Sequence, residues 1–314
     1  MSPLNSRIGI VINRVGGVNA ALSSAQTAEA LGFGAAWLTN GGPEDPMPLL
    51  AALALKTDRI RLGTSVLQTY PRHPYVVATE ANVIDQLSPG RLRLGVGPSH
   101  DLVMESLGIH RDAPLRHLSE YVTVLRSLVS TGSAQFSGTH YSVNVRLDRT
   151  FDLPIMVGAL QPAAFRLAGR AADGAITWLC PPAYLAGVAL PAMTRAAADS
   201  DRERPPLIAH VAVCVHDVRN EVHDAVRQQI PNIAFPSYQR MLVASGFDDA
   251  AEGRWSDNLI DQVIAWGTAE EVAVRIQELF DIGADEVLIR PIGAGASPTH
   301  VIESTVRSVA AAFE

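Results

Sequence analysis

The architecture of the chain is indicated most clearly by residues 60–100, IRLGTSVLQTYPRHPYVVATEANVIDQLSPGRLRLGVGPSH. This segment holds two short apolar runs, Ile60–Val66 and Leu92–Val96, and both end in small residues. Between them, Pro74–Leu87 has the pattern of a helix, with proline in its first turn and Ser88-Pro89-Gly90 as its stop signal. We therefore predict a strand–helix–strand unit with glycines where the strands finish. Because ligands bind at the carboxyl ends of parallel strands, this bare backbone indicates a binding site.

The alternation of strand and helix continues over almost the whole chain. Eight such repeats favour an α/β fold, a (β/α)8 TIM barrel, over an open doubly wound sheet. We predict a single domain over residues 1–314, with insertions at about 98–113, 134–150 and 230–266 that shape the substrate pocket. The second insertion alternates like a hairpin with a turn at Ser137-Gly138, and the third resembles a helical lid. The predicted strands are Arg7–Asn13, Ala35–Thr39, Ile60–Val66, Leu92–Val96, Asp152–Val157, Gly174–Leu179, Leu207–Val215 and Glu286–Arg290.

The composition excludes several classes of protein. Hydrophobic residues make up 47% and charged residues only 18% of the chain, which argues against disorder. The net charge of −7 argues against a nucleic-acid partner. The two cysteines, Cys180 and Cys214, lie in apolar runs and are predicted to be buried thiols. With no apolar signal region and no segment of membrane-spanning length, we expect a cytoplasmic protein without a membrane partner.

The predicted strand ends contain few groups that could do chemistry on their own. They show no cluster with metal-ligand spacing, and the only lysine, Lys56, lies on a predicted helix, so neither a metal site nor Schiff-base chemistry is expected. Small, amide-rich strand ends instead suit a large flat cofactor that supplies the chemistry itself. The turn Gly158–Pro162 follows a strand and opens a helix, as a phosphate site would require, and Gly95–Ser99 offers a second set of amides. Glycines at these positions could also simply form turns.

Five ordered segments resemble the bacterial luciferase-like monooxygenase superfamily, and most closely its branch of oxidoreductases that use the deazaflavin coenzyme F-420. The resemblance implies a (β/α)8 barrel with insertions, a small-molecule substrate and a homodimer. FMN is the alternative cofactor, because the same barrel and phosphate turn would serve it. The matching segments are GFGAAWLT (32–39), RIRLGTSVLQTYPRHP (59–74), SPGRLRLGVGPSH (88–100), PIMVGAL (154–160) and LAGRAADGAITW (167–178).

The resemblance also implies which residues hold the cofactor. Ser65-Val66 should form a cis peptide bond at the end of the third strand, where it backs the central ring of the deazaflavin. Gly95, Val96 and Gly97 would line the cofactor, and the amides near residues 159–162 would hold its phosphate. The full set of candidate cofactor-binding residues is Asn40, Thr64, Ser65, Val66, Gly95, Val96, Gly97, Gly158, Ala159, Leu160, Gln161, Thr177 and Trp178.

The chain departs from the family pattern where the sugar-phosphate dehydrogenases of this branch carry a catalytic His and a catalytic Glu. Those positions are Gly41 and His100 here, and Leu160-Gln161 replaces the paired glycines of the phosphate turn. Oxidation of a sugar phosphate is therefore not expected, and the proton donor must be another residue. His100 is the first catalytic candidate because it lies in a turn beyond the fourth strand and a histidine titrates near neutral pH. His73 is the second, although both histidines could instead have structural roles.

Three functions remain open from the sequence. The leading one is an oxidoreductase that moves a hydride between coenzyme F-420 and a small organic substrate, working as a reductase. The second is an FMN-dependent monooxygenase of the same superfamily. The third is a noncatalytic cofactor-binding protein, which the glycine at position 41 would favour.

Overall fold

The computed structural model describes residues 5–313, and within them eight parallel strands close into a barrel. The circle closes because β11 pairs with both β1 and β9, while β8 also pairs with β9. The predicted TIM barrel is confirmed. Hairpin β5–β6 lies outside the barrel, and β10 adds to the end of β9. The strands are β1 (Ile8–Val11), β2 (Ala35–Leu38), β3 (Arg61–Gln68), β4 (Leu92–Gly97), β5 (Ser133–Ser137), β6 (Ser142–Arg146), β7 (Ile155–Gly158), β8 (Gly174–Ile176), β9 (Leu207–Val215), β10 (Ala265–Gly267) and β11 (Glu286–Pro291).

The helices follow the strands, and many of them begin with proline. Proline suits the first helical position because its missing amide would have no intrahelical partner there. The helices are α1 (Val18–Ala30), α2 (Pro46–Lys56), α3 (Pro74–Leu87), α4 (Asp101–Ser106), α5 (Pro114–Thr131), α6 (Pro162–Ala171), α7 (Pro182–Tyr184), α8 (Leu190–Ala198), α9 (Arg219–Gln229), α10 (Pro236–Val243), α11 (Asp257–Val263), α12 (Ala269–Asp281) and α13 (Pro298–Ala312).

The insertions differ in detail from their predictions. The hairpin of the second insertion is present, but its connection spans residues 138–141 rather than Ser137-Gly138. The third insertion contains the 3-10 turns Pro231–Ala234 and Asp248–Glu252 and the helices α10 and α11. It also contains the short strand β10, whose three residues are too few to show a strand pattern in the sequence.

Trp37 fills the middle of the barrel. Its indole lies where a Cβ at Gly63 would come within 2.5 Å of the ring and a Cβ at Gly9 within 2.7 Å of Nε1. Glycine at these two positions therefore makes room for the indole. Around it pack the other interior residues of the barrel, Ala35, Met156, Ile176, Ile208 and Leu288.

An ion pair closes the barrel at the amino ends of the strands. Glu286 accepts hydrogen bonds from two guanidinium nitrogens of Arg93, at 2.7 and 2.9 Å, and one from Trp37 Nε1 at 3.2 Å. The Arg93 guanidinium also lies 4.5 Å from the centre of the Trp37 ring. Because side chains fill the barrel from this end through its middle, we expect a ligand at the carboxyl ends of the strands, where TIM barrels bind theirs.

Both cysteines are buried and free, as predicted. Burial raises the pKa of each thiol, Cys180 and Cys214, to about 12. Neither is therefore a thiolate at neutral pH. Between residues 5 and 313, no helix combines the length and the apolar character needed to cross a membrane.

Candidate active site at the carboxyl ends of the barrel strands

The third strand carries an irregularity at the mouth of the barrel. The peptide bond between Ser65 and Val66 is cis, which confirms the expectation from the sequence. The pairing of β3 with β4 shifts register between Thr64 and Leu67 at the same point. The Thr64 hydroxyl donates a hydrogen bond of 2.7 Å to the carbonyl oxygen of Gly95, so this buried side chain ties the two strands together. A direct contact of Thr64 with a cofactor stays a prediction.

The Val66 side chain points at three glycines on the neighbouring strands. A Cβ at Gly97 would lie 2.7 Å from Val66 Cγ2, one at Gly158 would lie 3.3 Å from the same atom, and one at Gly95 would lie 3.2 Å from Cγ1. The sequence predicts that these glycines line a cofactor site. In the structure, the Val66 side chain already lies against them. Gly95 and Gly97 are buried behind it, together with Val96. The cofactor contacts of these three residues stay predictions.

A histidine that the sequence did not single out lies beside Ser65. His210 on β9 has its Nδ1 atom 3.3 Å from Ser65 Oγ, and its ring centre is 4.2 Å from that of Trp178. His210 is buried, and within residues 5–313 its Nε2 atom has no hydrogen-bond partner. Burial first, and the charge of Arg290 second, hold its pKa well below the usual histidine value. The ring is therefore neutral at physiological pH and has one free nitrogen.

Arg290, at the end of β11, completes this group of side chains. Its guanidinium lies 5.5 Å from the centre of the Trp178 ring and donates a hydrogen bond of 3.3 Å to the carbonyl oxygen of Gln229. Strand alternation could have indicated both missed residues. His210 lies two residues after Ile208, and Arg290 two residues after Leu288, and both of those apolar side chains belong to the barrel interior.

His100, the first catalytic candidate, lies just past β4 and directly before α4. Its ring stacks on Phe235 of the third insertion with the centres 4.3 Å apart, and its Nδ1 atom is 3.2 Å from Ser237 Oγ. Burial, followed by the charge of Arg111, lowers the pKa of His100 to about 4, while Asp101 acts in the opposite direction. His100 is therefore neutral at physiological pH and is held between the fourth strand and the insertion.

His73, the second catalytic candidate, caps the amino terminus of α3. Its Nδ1 atom accepts a hydrogen bond of 3.2 Å from the amide of Tyr75, and its side chain is exposed. Its ring meets the edge of Tyr141, at 5.5 Å between centres, rather than His100 or His210. The capping bond gives His73 a structural reason to be there, and its catalytic role stays a prediction.

The predicted phosphate turn opens α6, but part of its backbone is already occupied. The amide of Ala159 donates to the carbonyl oxygen of Ile176 at 2.9 Å, so it continues the sheet and is not free for a phosphate. The carbonyl oxygen of Leu160 accepts from the Tyr184 hydroxyl at 2.9 Å. Gln161 precedes the helix and donates from its side-chain nitrogen to the carbonyl oxygen of Ser237 at 3.0 Å. The departure at Leu160-Gln161 therefore links this turn to the third insertion.

The remaining candidates are located as follows. Thr177 is buried, and both its amide and its hydroxyl lie within hydrogen-bond distance of the Ile208 carbonyl oxygen, at 3.0 and 3.4 Å. Trp178 and Asn40 are half-buried at the ends of β8 and β2. Trp178 therefore has a face available to a ligand, whereas the polar groups of Thr177 are used within the fold. Across residues 5–313 we find no group of three or more His, Cys, Asp or Glu side chains placed to hold a metal ion.

A cavity of about 420 Å³ opens beside this group, at the ends of β1, β2 and β11. Arg14 and Arg290 both line it, together with Glu44. Arg14 lies 4.0 Å from the Glu44 carboxylate and also donates to the backbone oxygens of Gly41 and Glu44. Arg290 has no carboxylate at ion-pair distance within residues 5–313.

The sequence of this chain is similar to those of known proteins. The family model for luciferase-like monooxygenases matches residues 8–286. A 5,10-methylenetetrahydromethanopterin reductase of Methanolobus tindarius is 26% identical over 291 residues, covering 86% of this chain and 89% of that protein. An F-420-dependent glucose-6-phosphate dehydrogenase of Microbacterium testaceum is 37% identical over 177 residues, covering 51% of this chain and 53% of that protein.

A solved structure has the same overall fold. The coenzyme F-420-dependent tetrahydromethanopterin reductase of Methanopyrus kandleri matches with a TM-score of 0.79 over 98% of this chain and 99% of that one. The two sequences are 20% identical, so this likeness concerns the fold alone.

Proposed function

Because this chain belongs to the luciferase-like monooxygenase family, we propose that it transfers a hydride between coenzyme F-420 and a small organic substrate. The similarity to enzymes that use this coenzyme carries the proposal, since one such relative shares 37% identity over 177 residues. The direction we propose is reduction of the substrate. The missing family histidine, replaced by Gly41, argues against the sugar-phosphate chemistry of that relative.

The mouth of the barrel suits a flat ring system that carries polar edges. Val66 and Trp178 offer apolar surface, and beside them lies His210, whose Nε2 atom is buried and has no hydrogen-bond partner within residues 5–313. A buried nitrogen without a partner is costly unless a ligand satisfies it. A bound deazaflavin would supply the hydride, and this chain would supply the binding surface, exclude water and deliver one proton.

His100 remains our catalytic candidate, in the role of a neutral hydrogen-bond donor that assists this proton transfer rather than of a charged acid. When the Ser237 hydroxyl donates to Nδ1 of His100, the single ring proton lies on Nε2. The neutral imidazole then acts as a hydrogen-bond donor toward the substrate, because its pKa of about 4 keeps the charged form rare at neutral pH. The family resemblance further leads us to propose a homodimer located in the cytoplasm, which light scattering of the purified protein and cell fractionation would test.

The first experiment is a titration of the purified protein with coenzyme F-420 and, in parallel, with FMN. Tryptophan fluorescence reports binding because Trp178 lies at the mouth of the barrel, and a Trp178→Phe variant identifies its share of the signal. We expect micromolar binding of coenzyme F-420 and FMN binding weaker by about tenfold or more, or about 1.4 kcal/mol. The opposite preference would instead indicate an FMN-dependent monooxygenase. Binding without turnover of any acceptor would indicate a noncatalytic cofactor-binding protein.

A further inference from the structure

The cavity beside the barrel mouth carries one more positive charge than negative charge. Among its lining residues are two arginines, Arg14 and Arg290, and one carboxylate, Glu44. Glu44 lies against Arg14, at 4.0 Å between charged atoms. The charge of Arg290 is therefore left uncompensated in a chain whose net charge is −7. Arg290 is thus a half-buried arginine at this cavity with no carboxylate of residues 5–313 at ion-pair distance.

At the opposite end of the barrel, by contrast, arginine side chains lie close to a carboxylate. A cavity of about 630 Å³ there is also lined by several arginines. Arg93 and Arg61 both lie near Glu286, at 2.7 and 3.5 Å between charged atoms. Glu286 thus pairs closely with Arg93 and also attracts the charge of Arg61, so a carboxylate lies at ion-pair distance from both arginines.

Arg290 is placed to bind a ligand rather than to support the fold. Strand alternation turns its side chain toward the barrel interior, in the same layer as His210 and the Trp178 ring. Within residues 5–313 it makes one hydrogen bond to a protein atom, to the Gln229 carbonyl oxygen, and this bond is long at 3.3 Å. Withdrawal from water without an acidic partner is unfavourable for a guanidinium, and an anionic ligand removes that cost. The flat fork of an arginine also matches the two oxygens of a carboxylate.

We propose that Arg290 binds the carboxylate of an anionic substrate, so that the acceptor of the hydride is an unsaturated carboxylic acid rather than a neutral compound. This inference rests on the proposed function for the identity of the reaction, but not for the existence of the anion site. A negatively charged group could also belong to the cofactor. The test must therefore separate the two sources.

The test compares carboxylates with their neutral amides. The probes are crotonate and cinnamate against crotonamide and cinnamamide, titrated by calorimetry into wild type, Arg290→Gln and Arg290→Lys, with and without coenzyme F-420. We expect the carboxylates to bind wild type more tightly than the amides and to lose about tenfold or more in affinity in Arg290→Gln, with Arg290→Lys in between. Arg195→Gln, which changes an exposed arginine of α8, is the matched control and should behave as wild type.

Each other outcome has a definite meaning. Equal binding of acids and amides to wild type, or unchanged carboxylate binding in Arg290→Gln, would overturn the proposal. If Arg290→Gln weakens coenzyme F-420 instead of the carboxylates, the anion belongs to the cofactor and the substrate assignment is wrong. If wild type fails to bind coenzyme F-420 but binds the carboxylates through Arg290, the proposed function fails while the anion site stands.

A stability measurement distinguishes a ligand-binding role of Arg290 from a structural role. Because the charge lacks an acidic partner, Arg290→Met, which keeps much of the apolar stem, should melt at the same temperature as wild type or higher. A variant that folds, melts no lower and has lost carboxylate binding supports a ligand site. A clear drop in melting temperature, with carboxylate binding retained, would mean that Arg290 supports the fold instead.

Discussion

The side chain of Val66 approaches three glycine positions on the neighbouring strands, and at Gly97 it is the nearest obstacle to a larger residue. A Cβ at Gly97 would meet Val66 Cγ2 at 2.7 Å, which is too close for two carbon atoms that do not move. The neighbour is a stiff β-branched side chain on an irregular strand, so it has little room to turn away. The glycines are therefore required by packing within the protein, before any ligand is considered.

We predict that Gly97→Ala displaces Val66 and destabilises the protein by about 1–3 kcal/mol, as overpacking of a core does. Cofactor affinity should fall with it, because Val66 forms part of the mouth. Urea unfolding and the fluorescence titration measure the two effects. The matched control is Gly187→Ala, in an exposed helical turn with no heavy atom within 4 Å of the new Cβ, and it should be neutral or slightly stabilising. Equal effects of the two substitutions would contradict this account.

His100 should make the protein sensitive to acid. Its pKa of about 4 in the folded protein lies below its ordinary value of 6.5, so unfolding favours proton uptake. Stability is therefore complete above the unfolded value and is lost as the pH falls from there toward the folded value. We expect His100→Gln to lose less stability than wild type between about pH 7.5 and about pH 5, measured as urea midpoints. An identical loss in both proteins would show that His100 does not carry this proton.

Some residues of the candidate site could be predicted from the sequence, and others could not. The cis peptide bond at Ser65-Val66 was expected from the family resemblance and is present. His210 was not expected, because its contact with Ser65 joins residues 145 positions apart and leaves no local pattern. His73 is a catalytic candidate from the sequence, while its hydrogen bond in the structure is the local one that caps α3. Long-range contacts of polar residues need the fold before they can be predicted.

At the scale of elements, local signals determined how well each boundary could be predicted. Helix α3 has the predicted bounds because Pro74 opens it and Ser88-Pro89-Gly90 stops it. Residues 182–198 form α7, the π-helical turn Leu185–Ala189 and α8 instead of one continuous α-helix. Strand β8 ends at Ile176, three residues before its predicted end at Leu179, which has a positive φ of 59°. Where the chain turns without a glycine, the apolar pattern alone overestimates the length of an element.

The segment from Pro231 to Val243 contacts the loops at the barrel mouth, mainly through Phe235 and Ser237, and the Tyr238 ring also lies near His100. Phe235 stacks on His100, Ser237 Oγ meets the same ring, and the Ser237 carbonyl oxygen accepts from Gln161. We predict that Phe235→Ala loosens this segment and raises its amide exchange by about tenfold, or about 1.4 kcal/mol of local stability. Hydrogen exchange by mass spectrometry measures it.

The control for this change lies on the same segment. Val243 is among the exposed apolar residues, at the end of α10, so Val243→Ala removes apolar atoms without touching His100. It should leave the exchange of the segment unchanged. Faster exchange in both variants would mean that general stability of the segment, rather than the stack on His100, controls its opening.

At the scale of the whole molecule, the barrel divides into an end that holds the fold and an end that holds the site. We predict that Glu286→Gln, at the first end, costs about 3 kcal/mol of stability because it leaves the Arg93 charge buried and unpaired. Affinity for coenzyme F-420 should stay unchanged in the folded variant. Glu252→Gln is the control, since its ion pair with Arg254 is exposed and should contribute less than about 1 kcal/mol. A large loss of cofactor affinity in Glu286→Gln would contradict this division.

The ion pair of Arg93 and Glu286 also has a kinetic consequence. Since this pair and the Trp37 indole fill the interior of the barrel, two reactants that meet at the carboxyl ends of the strands must pass through the same opening. The one that lies deeper has to arrive first and leave last, so the steady-state rates should follow a compulsory order of addition. Product release would then be controlled by how fast that single entrance clears, and saturating the outer reactant would trap the inner one.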